Sequence, residues 1–214
     1  MKMETNTRTD KSFKNLASFS EKILVVCPNC NKQALVSTTL GKYTVPYPMW
    51  EFHPSFSCNN CFKPIADNSW FGTLIISPSS GNCEHCGSTL KNESKLVKKY
   101  QSKMKVTCQI CRQEKIYQTK YVKTYADSNQ ATDPYFGIQL WLQVPFDTNI
   151  LWAYNFEHLT YLKEYVGAKL REAASGGKYS LVWRLPNFIK IAKNRDRILK
   201  AIGRLEKNIN KQGD

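Results

Sequence analysis

Acidic side chains are scarce in this chain. Only 17 Asp and Glu stand against 31 Lys and Arg in 214 residues, a formal net charge of +14. A basic balance favours an anionic partner: nucleic acid first, then an acidic membrane or acidic protein. Charge alone does not choose, because many lysines only solvate a surface. Long apolar runs are missing too. No segment approaches the ~18 consecutive apolar residues of a membrane helix, so no membrane partner is expected. Met1–Lys22 is polar and mixed in charge, with no apolar stretch after its lysines. It does not read as a secretory signal but as a disordered tail that joins structure near Ile23, and the chain reads as soluble and cytoplasmic. Histidine is rare, with His53, His85 and His158 the only three. No Walker loop, His-Glu-x-x-His, dinucleotide fingerprint or nucleophile elbow occurs. His158, beside Glu157 and Asn155, is the one local group with acid–base potential, and a packing histidine is the simpler reading. No enzyme is expected.

No cysteine stands alone. The eight fall into four Cys-x-x-Cys pairs: Cys27/Cys30, Cys58/Cys61, Cys83/Cys86 and Cys108/Cys111. Two cysteines at this spacing can turn both sulfurs toward a point about 2.3 Å from a metal, and tetrahedral zinc needs two such pairs. Four disulfides would suit a secreted chain, which the N-terminus does not suggest. A redox pair needs one exposed Cys-x-x-Cys in a βαβ unit. Iron–sulfur ligation fits the regular two-by-two pattern less well. Two structural zinc ions are therefore expected. Each four-thiolate site with its ion carries −2, which lowers the holo charge to about +10.

An internal repeat points to the sharing. One copy reads Cys27-Pro-Asn-Cys30, Ala34-Leu-Val-Ser, Phe56-Ser-Cys58-Asn-Asn-Cys61, then Trp70-Phe-Gly-Thr-Leu-Ile-Ile. The other reads Cys83-Glu-His-Cys86-Gly, Val106-Thr-Cys108-Gln-Ile-Cys111, then Tyr135-Phe-Gly-Ile-Gln-Leu-Trp-Leu. On this repeat Cys27, Cys30, Cys58 and Cys61 share one ion, and Cys83, Cys86, Cys108 and Cys111 the other; an interleaved arrangement stays open. The knuckles Cys27-Pro-Asn-Cys30 and Cys86-Gly87 resemble those of zinc ribbons over about residues 23–145. The segment Leu151–Leu159 and the later helices resemble uncharacterised bacterial zinc-ribbon proteins. The resemblance implies metal and local fold but no activity, because such modules occur in nucleic-acid binders, enzymes and docking domains. Asn31, Phe62 and Arg112 stand where the family often has a glycine of positive φ, which Asn tolerates better than Phe or Arg.

The two aromatic segments, 70–76 and 135–144, have strand composition. With Tyr43, Tyr47, Trp50, Phe52 and Phe56 they can stack on unpaired bases or cover the metal sites, and covering is the preferred reading. Lys95, Lys98, Lys99, Lys103 and Lys105 fall in the expected hairpin between the second pair of knuckles, with Lys115, Lys120 and Lys123 nearby.

After Trp152 the apolar period becomes helical. Asn155 caps a helix with Leu159, Leu162, Val166 and Leu170 on one face, ending near Ala174. Pro186 opens a second helix to about Asn208, with Phe188, Ile191, Ile198, Ile202, Leu205 and Ile209 on one face. Lys193, Arg197, Lys200, Arg204, Lys207 and Lys211 form a stripe across it, suited to a phosphate backbone or to plain solvation.

The expected fold is α+β: a tail (1–22), two tandem four-cysteine zinc-ribbon β modules, each with its aromatic strand (23–80 and 81–150), and a C-terminal antiparallel helix pair (151–214). The expected function is zinc-dependent nucleic-acid binding through Lys193, Arg197, Lys200, Arg204, Lys207, Lys98, Lys99 and Lys103. A protein-docking adaptor is the alternative. Base preference, DNA against RNA and oligomeric state are not legible.

Overall fold

The computed structural model describes residues 14–44, 49–90, 94–124, 130–168 and 180–210. Among these the strands are β1 (Lys22–Val26), β2 (Gln33–Thr44), β3 (Met49–Ser57), β4 (Thr73–Pro78), β5 (Lys95–Val97), β6 (Lys103–Thr107), β7 (Glu114–Thr124), β8 (Leu142–Phe146) and β9 (Asn149–Ala153). The helices are α1 (Phe156–Gly167), α2 (Leu181–Arg184), α3 (Asn187–Lys190) and α4 (Arg195–Asn210). The sheets are antiparallel, and the helices follow them. The chain divides into two compact units: unit 1 is Met1–Asn68 with Asn129–Asp214, and unit 2 is Ser69–Ser128, inserted between them. This division does not fall at the expected 80/81 and 150/151 boundaries. Segment 70–76 belongs with the second cysteine quartet and segment 135–144 with the first.

In unit 1, β1, β2 and β3 form a sheet in that order. Alternation sends Ile23, Val25, Ala34 and Val36 inward, with Ile23 opposite Val36 and Val25 opposite Ala34. The free edge of β1 is taken by the segment before β8. The Val26 amide donates to the Gln139 carbonyl at 2.8 Å, and the Trp141 amide to that of Leu24 at 2.9 Å. These bonds draw Phe136, Ile138, Leu140 and Leu142 into the same buried core.

Residues 135–144 are consequently not one strand. Residues 134–136 make a turn, held by the buried Asp133 carboxylate. Its Oδ1 accepts the Tyr135 and Phe136 amides at 2.9 and 2.8 Å, and its Oδ2 accepts the Ile138 amide at 2.5 Å. Gly137 follows at φ 68°. The matching Phe71-Gly72 of unit 2 behaves differently. There a Cβ on Gly72 would lie 2.7 Å from the Trp70 ring, and the strand starts only at Thr73. The same letters thus meet two different conformational demands.

The expected tail is also corrected over residues 14–22. Leu16–Phe19 forms a 3-10 turn capped by Asn15, and Phe19 is buried, stacked on the His158 ring at 4.8 Å. Its partner lies over a hundred residues away, so no local pattern reveals it. Asn155 caps α1 as expected. Its Oδ1 accepts the His158 amide at 2.8 Å, and its Nδ2 donates to the carbonyls of Phe19 and Lys22 at 2.9 and 2.8 Å. Leu159, Leu162 and Val166 are buried, but α1 stops at Gly167; Leu170 and the expected continuation to Ala174 lie outside the described residues.

The second helix is broken into pieces before α4, with a 3-10 turn at Ala192–Asn194. Ile191 is exposed rather than on a buried face. Ile198, Ala201, Ile202 and Leu205 carry the packing of α4. Arg195 donates to the Ala168 carbonyl at 2.9 Å, and Lys163 pairs with Glu206 at 2.8 Å. Late α1 thus meets early α4, and earlier α1 meets later α4, an antiparallel order.

In unit 2 the sheet order is β5-β4-β7-β6. The expected hairpin of Lys95–Lys105 does not form, because β5 and β6 occupy opposite edges. The link between them crosses the Thr119–Tyr121 side of β7: the Tyr100 hydroxyl donates to the Thr119 carbonyl at 3.1 Å, and the Tyr100 ring lies 5.1 Å from that of Tyr121.

Candidate metal centres

Each quartet is built from two knuckles with the same local geometry. Backbone amides two and three residues on bond the sulfur of each leading cysteine: Asn29 and Cys30 on Cys27, Asn60 and Cys61 on Cys58, His85 and Cys86 on Cys83, Ile110 and Cys111 on Cys108. The amide of the residue after each knuckle returns to the leading cysteine's carbonyl at 2.8–3.0 Å. That turn needs the left-handed region, and all four residues adopt it: Asn31 at φ 58°, Phe62 at 55°, Arg112 at 62° and Gly87 at 71°. Phe and Arg therefore stand where a Cβ is penalised.

The sulfurs converge as the repeat suggested, which removes the interleaved alternative. Cys27, Cys30, Cys58 and Cys61 form one group; Cys83, Cys86, Cys108 and Cys111 form the other; all sulfurs within a group lie within 4.8 Å of one another. Cys27–Cys61 and Cys30–Cys58 are 3.6 Å apart, and Cys83–Cys111 and Cys86–Cys108 are 3.7 Å apart. A tetrahedron with metal–sulfur bonds of about 2.3 Å has edges of about 3.8 Å. Disulfide sulfurs would sit at about 2.05 Å. Each quartet can hold one metal ion.

The electrostatics ask for a cation. Backbone amides, that of Cys61 foremost, hold the Cys58 thiol below its ordinary range, and those of Cys111 and Ile110 do the same for Cys108. Burial pushes Cys27 up. For Cys111 the Gln113 amide favours the thiolate, but burial and the other three sulfurs outweigh it. Amides favour part of the negative charge and crowding opposes the rest, a balance that a bound cation would relieve.

No family model, curated protein or solved structure matches this chain.

The wiring of the quartets differs in a way the sequence repeat conceals. In unit 1 the hairpin β1–β2 encloses the first knuckle, closing at Val26–Gln33, and β3 beside β2 leads into the second. In unit 2 the hairpin β6–β7 encloses the second knuckle, closing at Thr107–Glu114, and β4 beside β7 leads toward the first. The modules are related by exchange of their halves along the chain: Cys108/Cys111 takes the place of Cys27/Cys30. Two contacts of unit 2 escaped the sequence reading. The Ser88 hydroxyl lies 2.6 Å from the Cys86 sulfur, and the Tyr117 hydroxyl accepts the Glu84 amide at 3.2 Å. A hydroxyl two residues past the second cysteine was the available signal for Ser88.

The basic residues divide between the units. Arg197, Lys200, Arg204 and Lys207 are exposed on α4. At 100° per residue they fall within an arc of about 80°, over about 15 Å of helix. Lys193 precedes the helix, in the 3-10 turn, and Lys211 lies outside the described residues. Arg197 is engaged, pairing with Asp147 at 2.5 Å and lying 4.7 Å over the Phe146 ring. Its guanidinium holds the Asp147 carboxyl below the usual range. In unit 2, Lys98, Lys99 and Lys103 are exposed, while Lys105 pairs with Glu114 at 2.5 Å and Lys115 with Glu84. They spread from one sheet edge to the other instead of gathering at a hairpin tip.

Among the aromatics, Phe56 packs against the unit 1 core and Phe52 lies 6.4 Å from Tyr135, while the side chains of Tyr43, Tyr47 and Trp50 lie outside the described residues. Neither quartet includes a histidine side chain, and His85 reaches Cys83 through its backbone amide. No helix among the described residues is long and apolar enough to cross a membrane.

Proposed function

We propose that each quartet holds a structural zinc ion in a zinc-ribbon-like module, and that the chain is a non-enzymatic nucleic-acid-binding protein. Four thiolates with tetrahedral spacing are the donor set of structural zinc, and they leave no open position for a substrate. The observation that carries the nucleic-acid reading is the α4 stripe. Lys200, Arg204 and Lys207 project from one side of the helix and form no ion pair among the described residues. Cations repeated along one helix face match a line of phosphates.

Binding to fluorescent single- and double-stranded oligonucleotides tests this. Three phosphate contacts predict a loss of about fortyfold in affinity between about 50 and 200 mM salt. The triple variant Lys200→Glu, Arg204→Glu, Lys207→Glu should abolish binding with zinc content unchanged. Wild-type protein that ignores every oligonucleotide at the lower salt would sink the reading.

The docking alternative has one observation in its favour. Leu96, Ile75 and Val122 stand in register across three strands of unit 2, and Leu96 and Val122 are 61% and 64% exposed. Co-purification of one stoichiometric protein that survives nuclease treatment, and is lost with Val122→Glu, would favour it.

A further inference from the structure

Unit 2 carries a basic surface of its own, apart from α4. Its described residues include two carboxylates, Glu84 and Glu114, and each is already paired, with Lys115 and Lys105. The strand register sets where the remaining lysines fall. Tyr121 of β7, Ile76 of β4 and Lys95 of β5 stand side by side, so their side chains share one face of the sheet. Lys123, two residues on from Tyr121, shares that face about 7 Å further along the strand. Val122 and Leu96, in register through Ile75, belong to the opposite face.

The link from β5 to β6 brings Tyr100 to the same place. Its hydroxyl donates to the Thr119 carbonyl at 3.1 Å, which fixes the ring 5.1 Å from that of Tyr121, at an interplanar angle of 57°. Ile76 beside Tyr121 is fully buried, yet Tyr100 and Tyr121 remain 48% and 52% exposed. Cations flank the ring pair. Lys123 lies 4.9 Å over the Trp70 ring, which holds its ammonium at the surface beside Tyr121. Lys99 adjoins Tyr100 in the chain, and Lys95 and Lys99 are exposed and make no ion pair among the described residues.

We propose that this face of unit 2 binds single-stranded nucleic acid: unpaired bases stack on Tyr100 and Tyr121, and Lys95, Lys99 and Lys123 receive the phosphates around them. The proposal rests on the nucleic-acid reading above and adds the strand type to it. Aromatic platforms set among cations are the recurring arrangement of single-strand binders, because every base has a flat face to stack. A duplex keeps its bases stacked on one another and offers the rings nothing. An acidic peptide would answer the lysines but brings no regular succession of flat rings.

The test uses the full-length, metal-loaded protein and a fluorescent oligothymidylate of about 20 nucleotides, alone and annealed to its complement. Tyr121→Leu should weaken the single strand by about tenfold or more, the worth of one stacked base, and leave duplex affinity and zinc content unchanged. Tyr121→Trp should bind the single strand at least as tightly as wild type, and Val122→Gln, on the opposite face, should leave it unchanged. With iodouracil in the strand, photo-crosslinks should map to Tyr100 or Tyr121. Wild-type single-strand affinity in Tyr121→Leu overturns the proposal while the α4 reading stands; wild-type protein that binds neither form of the oligonucleotide sinks both. Poly-glutamate that competes as well as unlabelled oligothymidylate also overturns it, in favour of an acidic protein partner.

Discussion

Cys27 and Cys58 are buried in a core that also holds Ile23, Val25, Val36, Phe136 and Leu140, and that continues through β8, β9, α1 and α4. Cys83 and Cys108 of unit 2 are equally buried, but the apolar cluster near them is small: Met104, Val106 and Tyr117, with Leu90 against it. Cys86 is exposed, whereas its counterpart Cys61 is half-buried. The two quartets have nearly the same sulfur spacing. In unit 1 the knuckles are added to an interior that helices and a hairpin already supply. In unit 2 a single sheet with a crossing link has little apolar area to bury, so a metal held by its quartet would supply most of the closure.

The largest expected effect therefore separates the units. Structural zinc contributes on the order of 10 kcal/mol to the folding of small modules. Cys108→Ser should unfold residues 69–128 while α1, α4, β8 and β9 keep slow amide exchange. Cys58→Ser should weaken unit 1 without unfolding it. Native-state hydrogen exchange with metal analysis decides the matter, and equal loss of protection in both variants would break the comparison.

Next comes Asp133, a device of unit 1 with no counterpart among the described residues of unit 2. Removing its carboxylate orphans the amides of Tyr135, Phe136 and Ile138. Asp133→Ala should cost unit 1 about 3 kcal/mol or more in urea unfolding. Exchange protection of β4, β6 and β7 should be unchanged.

A third effect is acid sensitivity. The His158 pKa is lowered to about 4 by burial, against about 6.5 in an unfolded chain. Between these values the unfolded state binds more protons, so stability falls as pH drops from about 6.5 to 4 and is flat above. The loss reaches about 3 kcal/mol. His158→Phe should flatten that part of the pH–stability curve; an unchanged slope would place the acid sensitivity elsewhere.

The smallest effect tests the shared feature. Phe62 is 80% exposed at φ 55°, and Arg112 sits at φ 62°. Phe62→Gly and Arg112→Gly should each stabilise their unit by up to about 1 kcal/mol, the left-handed penalty less the added freedom of the unfolded chain. The thermal midpoint reads this directly.

The knuckles and the start of α1 were legible because each is local. Cys-x-x-Cys folds on itself, and Asn155 meets His158 three residues on. Two expectations failed for a shared reason. Trp70-Phe-Gly and Tyr135-Phe-Gly look like equivalent strand starts, yet their neighbours differ: the Trp70 ring lies over Gly72, while Asp133 folds 135–138 into a turn. Likewise the lysines of 95–105 read as a hairpin because a short link separates two strands. The sheet places β4 and β7 between them.

By itself the sequence determined eight cysteines in four Cys-x-x-Cys knuckles, an excess of Lys and Arg over Asp and Glu, and an amphipathic C-terminal helix, because knuckle spacing and helical period act over three or four residues. Only the tertiary structure decided that the modules carry their halves in opposite order, that segment 135–144 completes the first unit rather than the second, and that His158 is buried against the Phe19 ring. Those outcomes depend on strand edges and ring contacts between segments far apart in the chain, where many pairings satisfy the same local pattern and only packing selects one.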